Sequence, residues 1–161
     1  RKFNHQHEPG IFPCIVERLK GTAVRLEEQI QNIPAENLTK QTKDKWSPQE
    51  HLGHLLDLEP LWYGRVGDII ASKEILREAD LTNQKTHQAN HNDRNIHTLL
   101  SEFRTERKKL TDALATVPEK DFEKTALHPR LMVPMKMIDL AYFVAEHDDH
   151  HLAMITWLSK A

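Results

Sequence analysis

A single cysteine, Cys14, leaves the chain unable to form an internal disulfide, and that usage fits a reducing cytoplasm. Nothing around Cys14 marks a reactive thiol, so it is expected to be a buried apolar filler. Only five glycines occur, and alternating β-branched runs are scarce, which argues against a β architecture. No run reaches the ~18 apolar residues of a membrane span, and no stretch reads as a signal peptide. Neither sign of charge dominates. Lys and Arg number 22 against 24 Asp and Glu, a formal charge of −2, which gives no electrostatic basis for binding nucleic acid.

What is present is helical periodicity. The chain of 161 residues, 39% hydrophobic, is expected to be one domain spanning 1–161, with residues 1–9 as a loose polar arm. From about Ile11 to Ile33, apolar residues recur at a 3-4 spacing (Phe12, Ile15/Val16, Leu19, Ala23, Leu26, Ile30), and Pro34 ends the segment. In Trp46-Ser47-Pro48-Gln49-Glu50, Ser47 is a candidate N-cap, Pro48 suits the first helical position and Glu50 completes a capping box. A second helix therefore runs from there to about Ala71, with a kink or a lost hydrogen bond at Pro60. Residues 73–92 form a long polar connection that either crosses the bundle end or carries a short helix around 73–77. A third helix runs from about Asn92 or Asp93 to Val117. A fourth runs from about Met135 to Lys160, after a loop holding His128-Pro129. Four long amphipathic segments make an all-α, four-helix bundle.

The fourth segment holds Ala145-Glu146-His147-Asp148-Asp149-His150-His151. Residues four apart share a helix face, so His147 and His151 point the same way, on or beside the stripe of Met137, Leu140, Val144, Ile155 and Leu158. Two imidazoles at i and i+4 can hold one divalent cation, and Asp148 is a candidate to accept a second ring N–H. His150 and Asp149 point largely away, His150 as a rim residue. The alternative is a pair of half-buried His satisfied by carbonyls.

A third ligand could come from the second helix. His54 lies about 9 Å from its start, at the level of the late His pair if the second and fourth helices run antiparallel. The long 73–92 connection permits that by letting helices two and three run the same way. His51 is the rival, and helical-wheel geometry prefers it. Asp57, one turn after His54, could orient it or pair with Arg65 at the surface, and Glu50 reads more as a cap than as an acid–base group. Trp46 and Trp62 read as core. Three His with an open position is a catalytic metal arrangement, and imidazole suits Zn or Ni among others. A carboxylate di-iron bundle finds one imperfect motif, Asp148-x-x-His151, and no second.

The element Trp46-Ser47-Pro48-Gln49-Glu50 with Gly53-His54-Leu55, the late His147-x-x-x-His151 and the intervening His128-Pro129 together resemble the DinB/YfiT-like family, in matching order over most of the chain. The resemblance implies an up-down-down-up four-helix bundle, often a homodimer. It also implies a divalent metal held by three His, which by motif position are His54, His147 and His151. The activity it implies is thiol S-transfer with a low-molecular-weight thiol, with a metal-dependent hydrolase or a non-catalytic metal-binding module as alternatives. Many relatives carry a Gly soon after the His-Pro pair; here the chain reads Arg130-Leu131-Met132-Val133-Pro134, which implies a differently shaped loop.

Overall fold

The computed structural model describes residues 7–43 and 45–160. Positions 1–6 of the expected arm lie outside the described residues; of the remainder, His7 packs tilted against Tyr142 and Pro9–Ile11 form a 3-10 turn. Four long helices carry the fold: α1 (Phe12–Gln31), α3 (Pro48–Ile70), α5 (Ile96–Ala115) and α6 (Met137–Leu158). Two short helices, α2 (Ala35–Leu38) and α4 (Gln84–Gln88), sit in the connections.

Each long helix begins and buries itself as its residues dictate. Along α1 the buried positions Phe12, Ile15, Val16, Leu19, Ala23, Leu26 and Ile30 repeat at the 3-4 spacing. Cys14 falls between them on the outer face and is exposed, so it is not the expected filler. The capping box at α3 is complete: Glu50 N–H donates to Ser47 Oγ at 3.1 Å and Ser47 N–H donates to Glu50 Oε2 at 2.7 Å. Helix α3 continues through Pro60, whose ring faces solvent. Helix α5 starts later than Asn92, because Asn90 takes a left-handed conformation and His91–Asp93 form a 3-10 turn; Asn95 then caps the helix through its Oδ1.

The directions follow from paired contacts. Arg18, Thr22 and Gln29 of α1 meet Glu146, Asp148 and Leu152 of α6 in ascending order, so α1 and α6 are parallel. Leu19 and Glu27 of α1 meet Arg107 and Arg104 of α5 in the reverse order, so those two are antiparallel. His51 and Trp62 of α3 meet His151 and Phe143 of α6, again antiparallel. Helices α3 and α5 are therefore parallel, and the bundle is up-down-down-up.

Two apolar layers fill it, one around Leu19, Trp62, Val66, Leu114 and Val144, the other around Leu26, Leu52, Leu55, Phe103 and Leu152. Between them lies a buried ionic node to which every long helix contributes. Arg107 donates to Glu59 Oε1 at 2.6 Å, to Asp148 Oδ2 at 2.5 Å and to the Leu19 carbonyl at 3.2 Å, and Thr22 Oγ1 donates to the same Asp148 oxygen at 2.7 Å.

The long connections differ from the sequence expectation. Residues 73–77 are not helical. Leu76 N–H donates to the Leu127 carbonyl, and Leu127 N–H to that of Glu74, which lays this segment beside a small hairpin of β1 (Ala126–Leu127) and β2 (Pro134–Met135). Asp68, buried on α3, fixes it further by accepting from Arg77 and pairing with Lys73. The short helix falls at α4 instead, where it covers the first turns of α3.

Candidate metal centre

His54, His147 and His151 come together, each offering one ring nitrogen within 4.8 Å of the others. The Nε2 atoms of His147 and His151 are 3.2 Å apart. A tetrahedral cation with metal–nitrogen bonds of about 2.0–2.1 Å sets its ligand nitrogens about 3.3 Å apart, so this pair already stands close to ligand spacing. His54 and His151 are buried and His147 is half-buried.

The outer nitrogens decide which atoms point inward. His54 Nδ1 is 3.1 Å from Thr86 Oγ1, and Thr86 donates its own hydroxyl proton to Asp57 Oδ2 at 2.9 Å. Thr86 is thus left as an acceptor toward His54, which fixes the proton on Nδ1 and leaves the Nε2 lone pair free. Asp57 also accepts from His91 Nε2 at 2.8 Å. His151 Nδ1 lies 2.8 Å from His51 Nδ1, so the rival candidate of the sequence stands behind a ligand candidate rather than among the three. His147 Nδ1 is buried without a hydrogen-bond partner among the described residues.

Asp148 takes none of these positions. Although adjacent to His147, its carboxylate accepts from Arg107 and Thr22, so the expected carboxylate–imidazole contact is absent among the described residues. Asp57 does act on His54, but through Thr86, and it forms no surface pair with Arg65. Glu50 remains a capping residue and also accepts from Gln41. Thr86 and His91 escaped the sequence reading, since they lie in a polar connection without periodicity.

Burial pushes the imidazoles well below their ordinary range, His54 to about 3 and His147 to about 4, with neighbouring rings lowering His54 further. His151 is lowered more strongly by burial and by His147 and His54. His51 falls to about 4 for the same reason, aided by His150. All four are neutral at pH 7, the state in which an imidazole ligates a cation. The inward lone pairs, the spacing and this neutrality fit a divalent metal.

The three His border a cavity of about 510 Å³. Trp46 is half-buried and lines it, with its ring 4.7 Å from that of His54 and stacked 6.2 Å from His151; it is a wall of the site rather than core. Trp62 is buried and also reaches the cavity. His150 is exposed at the rim. His128 Nδ1 accepts from the Arg130 and Leu131 backbone N–H groups, and Met132 takes a positive φ of 52°. The His-Pro pair therefore staples the loop that forms one wall, and Met132 takes a left-handed conformation within it.

No helix of the described residues is long and apolar enough to cross a membrane. No curated protein matches the sequence. The fold is similar to that of YfiT from Bacillus subtilis, described as a probable metal-dependent hydrolase with an unusual four-helix bundle topology, at a TM-score of 0.86 and 17% identity over 99% of this chain and 92% of that one. It is also similar to a mycothiol-dependent maleylpyruvate isomerase, at a TM-score of 0.70 and 8% identity over 88% of this chain and 59% of the isomerase. The model of the DinB superfamily matches residues 18–155, and the chain belongs to that superfamily.

Proposed function

We propose that the protein is a divalent-metal-dependent enzyme of the thiol S-transferase type, with His54, His147 and His151 as the ligands and Zn or Ni as the metal. The observation that carries this is the convergence of three neutral imidazoles beside an open cavity. A divalent cation held there would act as a Lewis acid, lowering the pKa of a thiol or water that reaches its open side. The chain's own residues do the rest. Thr86 and Asp57 hold His54 in one tautomer, and His51 holds His151. Trp46 and Trp62 give the cavity apolar walls that exclude water from a reacting thiolate.

The test is metal content by elemental mass spectrometry, with turnover against a panel of low-molecular-weight thiols and electrophiles. One metal per wild-type chain, lost in His54→Ala and His147→Ala together with thiol-dependent turnover, is the expected result. Full turnover by metal-stripped protein would overturn the reading. A hydrolytic version is favoured by the likeness to YfiT as that protein is described. It predicts metal-dependent turnover that needs no thiol.

A further inference from the structure

The cavity that the three His border is also lined by a cation that has no counter-ion among the described residues. Arg65, on α3, is only 1% exposed, yet it lines the cavity. Its Nε donates to the Arg77 carbonyl at 3.1 Å. Its two terminal nitrogens have no hydrogen-bond partner, and it forms no ion pair, among the described residues. The nearby carboxylate, Asp68, is committed to Arg77 and Lys73. Burial lowers Arg65 only to about 10, so it stays charged at neutral pH. An uncompensated buried charge is costly to keep. The other charged residues of the cavity do not supply the missing anion: Glu78 and Asp80 are exposed, and Asp80 is held by Thr82 and Gln84.

We propose that Arg65 anchors a carboxylate of the substrate, so that the cavity takes an acid-bearing molecule with its reacting end at His54, His147 and His151. The free edge of the guanidinium, Nη1 and Nη2, matches the two oxygens of a carboxylate. Geometry bounds the length. The Arg65 guanidinium carbon lies 5.5 Å from the Trp62 ring centre, and that centre lies 5.5 Å from the His147 ring. The anchor is thus at most twice that distance from the imidazole, so the chain between the two ends is at most about eight bonds long. The sequence carries the placement too, since Arg65 follows His54 by eleven residues, three helical turns, on one face.

Which end reacts rests on the metal–thiol reading; the anchor does not. Octanoate and octanamide are titrated calorimetrically into metal-free protein, and 8-mercaptooctanoate and 8-mercaptooctanamide into cobalt-loaded protein, read by the sulfur-to-cobalt absorption band. Wild type is expected to prefer each acid over its amide by about tenfold or more. The preference should fall to about one in Arg65→Gln with amide binding retained, and recover in part in Arg65→Lys, which keeps the charge if the Gln variant folds poorly. Equal binding of acid and amide by wild type, or an undiminished preference in Arg65→Gln, overturns the anchor. An octanoate preference that depends on Arg65, with no cobalt–sulfur band from either thiol, supports the anchor and overturns the thiol reading instead.

Discussion

The residues that matter most at the site are those behind the ligand candidates. Thr86 connects Asp57 to His54, so Thr86→Val keeps the shape and removes the acceptor for His54 Nδ1–H. The expected outcome is about a tenfold loss of metal affinity with stoichiometry retained, measured by competition with a chelator; unchanged affinity would show that the relay is idle. The four depressed imidazoles also give the metal-free protein a signed pH dependence. Each is neutral when folded and has an ordinary pKa near 6.5 when unfolded, so its contribution is complete above that value. It is lost as pH falls from there toward the folded values, about 3 to 4 for His51, His54 and His147. Glu59 acts oppositely: burial raises it to about 7, so its contribution is complete below its unfolded value and fades as pH rises through 7. Four groups outweigh one, and urea midpoints of metal-free protein should decline steadily from pH 7 to pH 5. A flat profile would contradict the burial of these rings. At this scale motif register points to His54, His147 and His151. Helical-wheel geometry prefers His51 to His54; both project from α3 within one turn, and only packing shows which stands behind the other. Nor could the sequence expose Asp148, which shares a face with the ligand candidates yet turns to Arg107, forty-one positions away.

At the scale of the element, α3 is specified by its first two turns. The Ser47–Glu50 box sets its start, and Gly53 lets another element lie against it. A Cβ at Gly53 would sit 2.2 Å from His91 Cγ. Helix propensity alone favours Ala over Gly by about 1 kcal/mol, while overpacking a fixed ring costs about 1–3 kcal/mol, so the steric term wins. Gly53→Ala is expected to be less stable by urea unfolding and to displace His91 from Asp57, visible as a changed His91 ring resonance; a stabilised variant would refute the close approach. The capping box and the 3-4 spacing made the long helices legible in the sequence to within a few residues. The connections were not, since α4 is held by Thr86 to Asp57 and His54, and residues 74–77 lie on the β1–β2 hairpin through two backbone hydrogen bonds and Asp68, contacts with no local signature.

For the whole molecule, the node of Glu59, Arg107 and Asp148 joins all four long helices between two apolar layers. Arg107→Met would leave two buried carboxylates unpaired, and a loss of about 3–5 kcal/mol is expected in urea unfolding. Replacing all three with apolar residues of similar volume should recover most of it; a small loss from Arg107→Met alone would mean that water reaches the node. The up-down-down-up arrangement also bears on how the molecule assembles. Parallel neighbours cannot be joined by tight turns, and α1 meets α6 across more than 120 positions; the antiparallel pair α3 and α6 brings His54 to His147 across more than 90. Contacts so distant in sequence close late and slow the search for the native state. Cobalt colour during refolding should rise with the slowest phase, and a cation held by the three His would be a witness to finished topology rather than a nucleus for it.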